Sequence, residues 1–198
     1  MNRGEIMRSP ISRLLQSWSE YRRDKRGSLL VETGFVIPII VTMTLGGIEI
    51  SRYSLLQQKL DRLATTTTDI VSQSESLSVA NLEVILTATS SIMNPFPFDA
   101  EGVVIISSVS ATGALPPKVA WQHAGGGSLS GSISKIGAVG ANATLPPGFL
   151  VRSGENVIIA ETFYQFTPMF VSSFVSPSTL YHSAFFRPRQ VNLTTLSP

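Results

Sequence analysis

Sixteen consecutive residues, Thr33 to Ile48, carry no charge, and a glutamate stands at each end of the run, Glu32 before it and Glu49 after it. Taken back through the apolar Leu29, Leu30 and Val31 and forward to Ile50, the segment has 22 residues. As a helix it is about 33 Å long at ~1.5 Å per residue, enough for a hydrocarbon core of about 30 Å. A secretory signal has a shorter apolar region, about 7–15 residues, and a small-residue exit site. Here Gly46-Gly47-Ile48-Glu49 instead leads into a polar helix. The expectation is one membrane-spanning helix over residues 28–50, with the rest of the chain divided by it.

Charge supports that division. Residues 1–27 hold seven basic and three acidic residues, net +4, whereas the remainder holds eight basic and ten acidic, net −2. Basic residues flanking one end of a span mark the cytoplasmic side. Residues 1–27 therefore read as a basic cytoplasmic leader and the C-terminal part as exported, periplasmic in a bacterial envelope. The sequence pI of about 9.2 reflects the leader rather than the exported part, so no nucleic-acid partner is expected. The leader is either a membrane-surface helix, with Ile11, Leu14, Leu15 and Trp18 at helical spacing, or a basic tail that only sets topology.

Glu32 is the most informative residue. An ionisable group inside a spanning helix costs roughly 2.5–3.5 kcal/mol at mid-bilayer and less near the ends. Two readings stand. Glu32 sits at the interface near the helix start, where the dipole favours it, or it pairs with a cation. A cut after Gly27 would give Ser28 a free α-amine and make Glu32 the fifth residue of the new chain. The carboxylate of one subunit then pairs with the amine of a neighbour.

Lys25-Arg26-Gly27-Ser28-Leu29-Leu30-Val31-Glu32 resembles a type IV prepilin cleavage site: basic residues, a glycine, the cut, and glutamate at mature position five. The continuation Thr33-Gly34-Phe35-Val36-Ile37-Pro38-Ile39-Ile40, with Gly46-Gly47-Ile48-Glu49 and Arg52-Tyr53, resembles the TadE-like pseudopilins of tight-adherence (Tad/Flp) pilus systems. The resemblance covers Arg26 to Ala64. It implies cleavage by a prepilin peptidase between Gly27 and Ser28, subunit registration by Glu32, and a minor pilin's part in pilus assembly. The implied partners are the inner membrane, the peptidase, other pilins and Tad assembly proteins. Phe166-Thr167-Pro168 and Arg187-Pro188-Arg189 look like a corner and a closing segment that recur in the same family.

Pro38 removes a helix hydrogen bond, which membrane helices tolerate; it reads as a soft point for packing or as a tolerated proline. Gly46 and Gly47 either permit close helix approach or weaken the helix as it leaves the membrane. Residues 51–78 read as a stem helix and linker. Leu56, Leu60, Leu63 and Ile70 are placed on one face, Thr65 to Thr68 is a poor helix tract, and Ser72 to Ser78 is a serine-rich joint. Residues 79–198 read as an exported α+β domain. It starts with a short helix from Val79 to Met93, closed by Asn94-Pro95, and Phe96-Pro97-Phe98 is an apolar turn. Strands are predicted over Val103–Val109, Lys118–Gln122, Asn156–Phe166 and His182–Val191, the last interrupted by Pro188. Residues Phe170 to Val175 read as a short helix or loop. The fold expected is α+β: a long N-terminal transmembrane and stem helix, one short helix, and a small antiparallel sheet.

No reaction chemistry emerges. The chain has no cysteine, which excludes disulfides and thiol catalysis. His123 and His182 lack metal-ligand spacing and read as surface or satisfied residues. Gly125-Gly126-Gly127-Ser128 lacks the lysine and helix of a phosphate loop and reads as a flexible turn. No Gly-x-Ser-x-Gly occurs. No cofactor, metal or enzymatic activity is expected. The function expected is that of a cleaved minor pilin; the alternative is an uncleaved single-pass assembly factor that binds pilus or secretion components.

Overall fold

The structure, a computed structural model, describes residues 25–198 apart from 171, 173 and 174, with side chains from Gly27 onward. The surface-helix or tail reading of the leader, which rests on Ile11 to Trp18, lies outside the described residues. The reading of Phe170 to Val175 does so in part. Contacts divide the chain into two compact units, residues 1–48 and 49–198.

Helix α1, Lys25–Ser72, runs through 48 residues. Among the described residues it is the one helix long and apolar enough to cross a membrane. Residues 27–48 have almost no cover within the chain; Leu30 is 75% exposed, and Phe35 and Met43 72% each. Every helical hydroxyl in such a surround needs an acceptor. Thr33, Thr42 and Thr44 donate to the carbonyls of Leu29, Pro38 and Ile40 at 2.7–2.8 Å, one turn back. Pro38 lies inside the helix, which continues past it.

In the second unit α1 becomes a core helix. Leu56, Leu60, Leu63, Ala64 and Val71 are fully buried. Ile70, expected on this face, is 40% exposed. A seven-residue step from Leu63 falls about 20° short of two full turns, and the buried stripe lies on the other side, at Thr67 and Val71. The threonine tract does not end the helix, because its hydroxyls are used. Thr67 donates to Thr89 at 3.0 Å, and Thr68 donates to the Ala64 carbonyl at 2.6 Å.

Helix α2, Val79–Ser90, is capped by the Ser78 side chain, which accepts from the Asn81 N–H, the expected role for serine before a helix. A 3₁₀ turn, Ser91–Met93, follows. The short helix α3, Phe98–Glu101, leads into the sheet. Its strands are β1 (Gly102–Ser110), β2 (Lys118–Gly125), β3 (Asn156–Phe166) and β4 (Ser178–Phe186). All neighbours are antiparallel, in the order β2-β1-β3-β4. β4 starts four residues before the expected strand and stops at Phe186, not Val191. It pairs with β3 along its own whole length, from Phe166↔Ser178 to Ile158↔Phe186, and Pro188 falls beyond it. β2 is longer than expected because β1 offers partners as far as Val104↔Gly125.

Alternation assigns the two faces. Val104, Ile106, Trp121, Ile158, Ala160, Tyr164 and Leu180 pack with α1 and α2 in the main core. Val109, Val119, Ile136, Val157 and Ile159 form a second cluster, and Val103, Ile105 and Phe163 a third, on the opposite face. The glycine- and serine-rich stretch before β3 covers that face instead of forming a free turn. Gly127 shows why glycine is needed there: a Cβ would stand 2.3 Å from the Gly102 carbonyl oxygen. Ser128 and Leu129 N–H groups donate to the carbonyls of Asp99 and Gly102 at 2.8 and 3.0 Å.

The C-terminal residues close the domain. The Arg189 N–H donates to the Ser72 carbonyl at 3.0 Å, at the end of α1. The Arg189 guanidinium meets Asp69 at 3.1 Å, and Arg187 meets Glu155 at 3.3 Å. Trp121 Nε1 and the Ser108 hydroxyl both donate to the Leu193 carbonyl, at 2.9 and 2.7 Å. Ser197 exchanges backbone hydrogen bonds with Leu77 and Val79.

Candidate functional site

Gly27 lies in the first turn of α1, and a Cβ there would meet nothing within 4 Å. Ser28 is exposed. Glu32 is exposed one turn further on, among Leu29, Leu30, Val31, Phe35 and Val36, all exposed themselves. Among the described residues no group pairs with its carboxylate. Gly46 and Gly47 likewise have open space where a Cβ would stand. The α1 surface over residues 27–48 is thus an apolar cylinder with one carboxylate near its start and a small-residue notch near its end. Chemically it can pack against lipid or other apolar helices, and it can accept one cation.

The second glutamate behaves differently. Glu49 is 6% exposed. Its Oε2 accepts the N–H groups of Met169 and Phe170, both at 3.0 Å, and its Oε1 lies 3.4 Å from the Arg52 guanidinium. Pro168 has no N–H to offer a neighbouring strand, so pairing stops and the next two donors are free to turn toward the carboxylate. Two N–H donors and a guanidinium satisfy a group that would otherwise be costly to bury. Glu49 and the turn that follows the Phe-Thr-Pro corner, 120 residues apart, are thus tied together. Sequence reasoning noticed both and linked neither.

A groove of about 400 Å³ adjoins this corner, lined in part by Arg52, Phe96, Glu101, Tyr164, Phe166 and Met169. The Tyr164 hydroxyl donates to Glu101 at 2.6 Å. Burial, then the hydrogen bond to Glu101 and its charge, push the Tyr164 phenol well above its ordinary range, with Arg52 pulling back.

A third carboxylate was missed by sequence reasoning. Glu161, fully buried in β3, accepts the hydroxyls of Ser134 and Tyr181, the latter at 3.0 Å, and the Lys135 N–H at 2.8 Å. Lys135 Nζ sits over the Tyr181 ring, 3.8 Å from its centroid. One acid in the middle of the apolar strand Asn156–Phe166 was the available signal, since a buried charge requires partners. The group pins the covering loop to the sheet. The histidines lie on the helix-facing side. His182 contacts the Gln57 amide, with Asp61 4.0 Å from its ring. His123 is not satisfied: among the described residues its buried Nε2 has no hydrogen-bond partner, Glu83 standing 3.8 Å away.

The span, its early carboxylate, its glycine pair and the buried glutamate after it form one contiguous pattern along α1. Residues 27–68 match the family of TadE-like proteins. The TadE-like segment therefore begins at Gly27, contains Glu32, Pro38, Gly46, Gly47 and Glu49, and ends inside α1, four residues before Ser72. The apolar part of α1 is long and apolar enough to cross a membrane, which suits the segment to anchoring. No curated protein and no solved structure matches the chain. The sheet and its covering loops lie outside the TadE-like match.

Proposed function

We propose that this chain is a minor pilin or pseudopilin of an adhesive tight-adherence pilus, cut after Gly27 by a prepilin peptidase and held in the inner membrane with its sheet domain on the periplasmic side. The observation that carries the reading is Glu32, an exposed carboxylate on an apolar helix, the fifth residue of a chain that begins at Ser28. Neither lipid nor any described side chain supplies it with a counter-charge. The Ser28 α-amine of an adjacent subunit does, and the pairing sets the axial register between helices. Open space at Gly46 and Gly47 admits a neighbouring helix at close range, and Pro38 is a second packing position on the same segment. Other pilins and Tad assembly proteins are the partners of such a helix.

The second reading is an uncleaved single-pass assembly factor that engages pilus or secretion components through its sheet domain. It is favoured by the helix running unbroken through Gly27 and Ser28, the arrangement of an intact anchor. Mass spectrometry of the mature N-terminus, in cells with and without the peptidase, separates the two. The expected result is a chain starting at Ser28 that depends on both the peptidase and Gly27, with Gly27→Ala left uncut. Glu32→Ala is expected to be cut normally and to assemble poorly. A chain that keeps its leader in peptidase-positive cells sinks the pilin reading.

A further inference from the structure

The sheet has two edges, and the chain treats them differently. The outer edge of β2 is covered at its start. The Val119 N–H donates to the Ala141 carbonyl at 3.1 Å, the Gly140 N–H to the Val119 carbonyl at 2.8 Å, and the Ala143 N–H to the Pro117 carbonyl at 2.7 Å. β4, at the other edge, pairs with β3 on one side. Among the described residues no backbone group bonds to its outer side. In an antiparallel strand every second residue turns its N–H and C=O that way, so an open ladder runs along Ser178–Phe186. Edges of this kind are ordinarily blunted by charge, proline or a bulge. Ser178-Thr179-Leu180-Tyr181-His182-Ser183-Ala184-Phe185-Phe186 has no lysine, arginine, carboxylate or proline, and its register with β3 is unbroken. Pro177 and Pro188 stand just outside the strand and bound the open ladder at both ends.

We propose that β4 pairs, antiparallel, with β4 of a second copy of this chain, about a two-fold axis at His182. The open ladder decides the kind of occupant. Its donors and acceptors repeat along an extended backbone, and another extended strand matches that repeat over nine residues. The side chains decide which strand. Reversed about His182, the segment complements itself: Phe186 falls opposite Ser178, Phe185 opposite Thr179, Ala184 opposite Leu180, and Ser183 opposite Tyr181. Every bulky side chain meets a small or β-branched one, and no pair sets like carboxylates or ammonium groups together, the arrangement that stabilises directly opposed residues. A two-fold contact needs such self-complementarity, because each copy offers the same patch. The pairing joins two four-stranded sheets edge to edge and leaves the α1 and α2 core of each copy as it is. It concerns residues 178–186 alone and stands whether or not the chain is cut after Gly27.

The absence of cysteine allows a clean test by disulfide crosslinking of the full chain in isolated membranes under a mild oxidant. Directly opposed residues have Cα atoms about 4.5–5.5 Å apart, within disulfide reach. His182→Cys is therefore expected to give a covalent dimer in most of the protein. Because His182 also contacts Gln57, a second arrangement leaves it in place: differently tagged Ser178→Cys and Phe186→Cys chains, co-expressed, should crosslink to each other. Ser178→Cys alone should not, since the two cysteines would stand about 27 Å apart at ~3.4 Å per residue. No dimer from His182→Cys and none from the mixture overturns the pairing. Dimer from Ser178→Cys alone, as abundant as from His182→Cys, overturns it as collision or as association through another part of the chain. Dimer at His182→Cys without one in the mixture overturns the antiparallel register. Crosslinks to a different protein in place of a second copy overturn the choice of occupant.

Discussion

At the scale of single residues, three glutamates in apolar surroundings have three different fates. Glu32 is left open, Glu49 is tied to two backbone N–H groups, and Glu161 is enclosed by Ser134, Lys135 and Tyr181. The sequence distinguishes the first by its distance from Gly27. It does not distinguish the other two, because their partners lie 120 and 20–27 residues away. The Glu161 cluster carries a pH dependence. Burial first, and then the charge of Glu161 and its hydrogen bond, push the Tyr181 phenol up to about 12 from 10.0, against a lowering hydrogen bond from Ser183. Between those values the unfolded chain has lost the proton and the folded one still holds it. The folded state binds more protons, so stability falls as pH rises. The contribution is complete below about pH 10 and is lost on passing about pH 12. The urea midpoint of the detergent-solubilised chain should drop between pH 9 and pH 11, both chosen as roughly bracketing the free tyrosine value. Tyr181→Phe should remove part of that drop, leaving the part due to Tyr164, whose phenol is raised in the same direction. An unchanged midpoint in the parent chain contradicts the cluster as described.

At the scale of elements, local pattern was a good guide wherever packing obeyed the ideal period. Leu56, Leu60 and Leu63 were legible as a core face, and the burial of β3 followed from its run of apolar and β-branched residues. Ile70 was misplaced because a seven-residue step drifts around a straight helix, and the sheet claims Val71 instead. The two positions make a matched pair. Leu60→Ala should cost about 2–5 kcal/mol through the cavity it leaves. Ile70→Ala should stay within about 0.5 kcal/mol, as a surface change. Comparable losses at both, measured by urea unfolding in detergent, would contradict the helix face. The start of β4 was not legible either. Ser176-Pro177-Ser178-Thr179 has no strand signal of its own, and it extends because β3 presents unpaired groups as far as Phe166. Tertiary pairing overrides weak local preference there. The glycine- and serine-rich stretch reads as loose from composition, yet Gly127 is required by the approach of the Gly102 carbonyl, and a requirement of that kind is invisible without the partner strand.

At the scale of the whole molecule, the apolar clusters of residues 49–198, among the described residues, all begin at Leu56 or later. Deleting residues 1–48 should therefore leave a folded domain. The deletion also removes Trp18, so Trp121 becomes the sole indole. Its ring is 7% exposed and its N–H is bonded to the Leu193 carbonyl, so its emission should be blue-shifted and move red in a single cooperative step with urea. Red emission without denaturant would mean that the membrane helix is needed for folding. The Leu193 contact has a temporal consequence. The residues that complete the indole's surroundings, cap the end of α1 and fasten the start of α2 are Leu193, Arg189 and Ser197. Each bridges 72 to 120 positions of chain, and such distant closures slow folding. A ribosome has already delivered every helix and strand before any of these three residues appears. During synthesis the sheet waits with its helix side unlatched, and the interval before residue 197 emerges is when this chain is most open to proteases and most in need of a chaperone's cover.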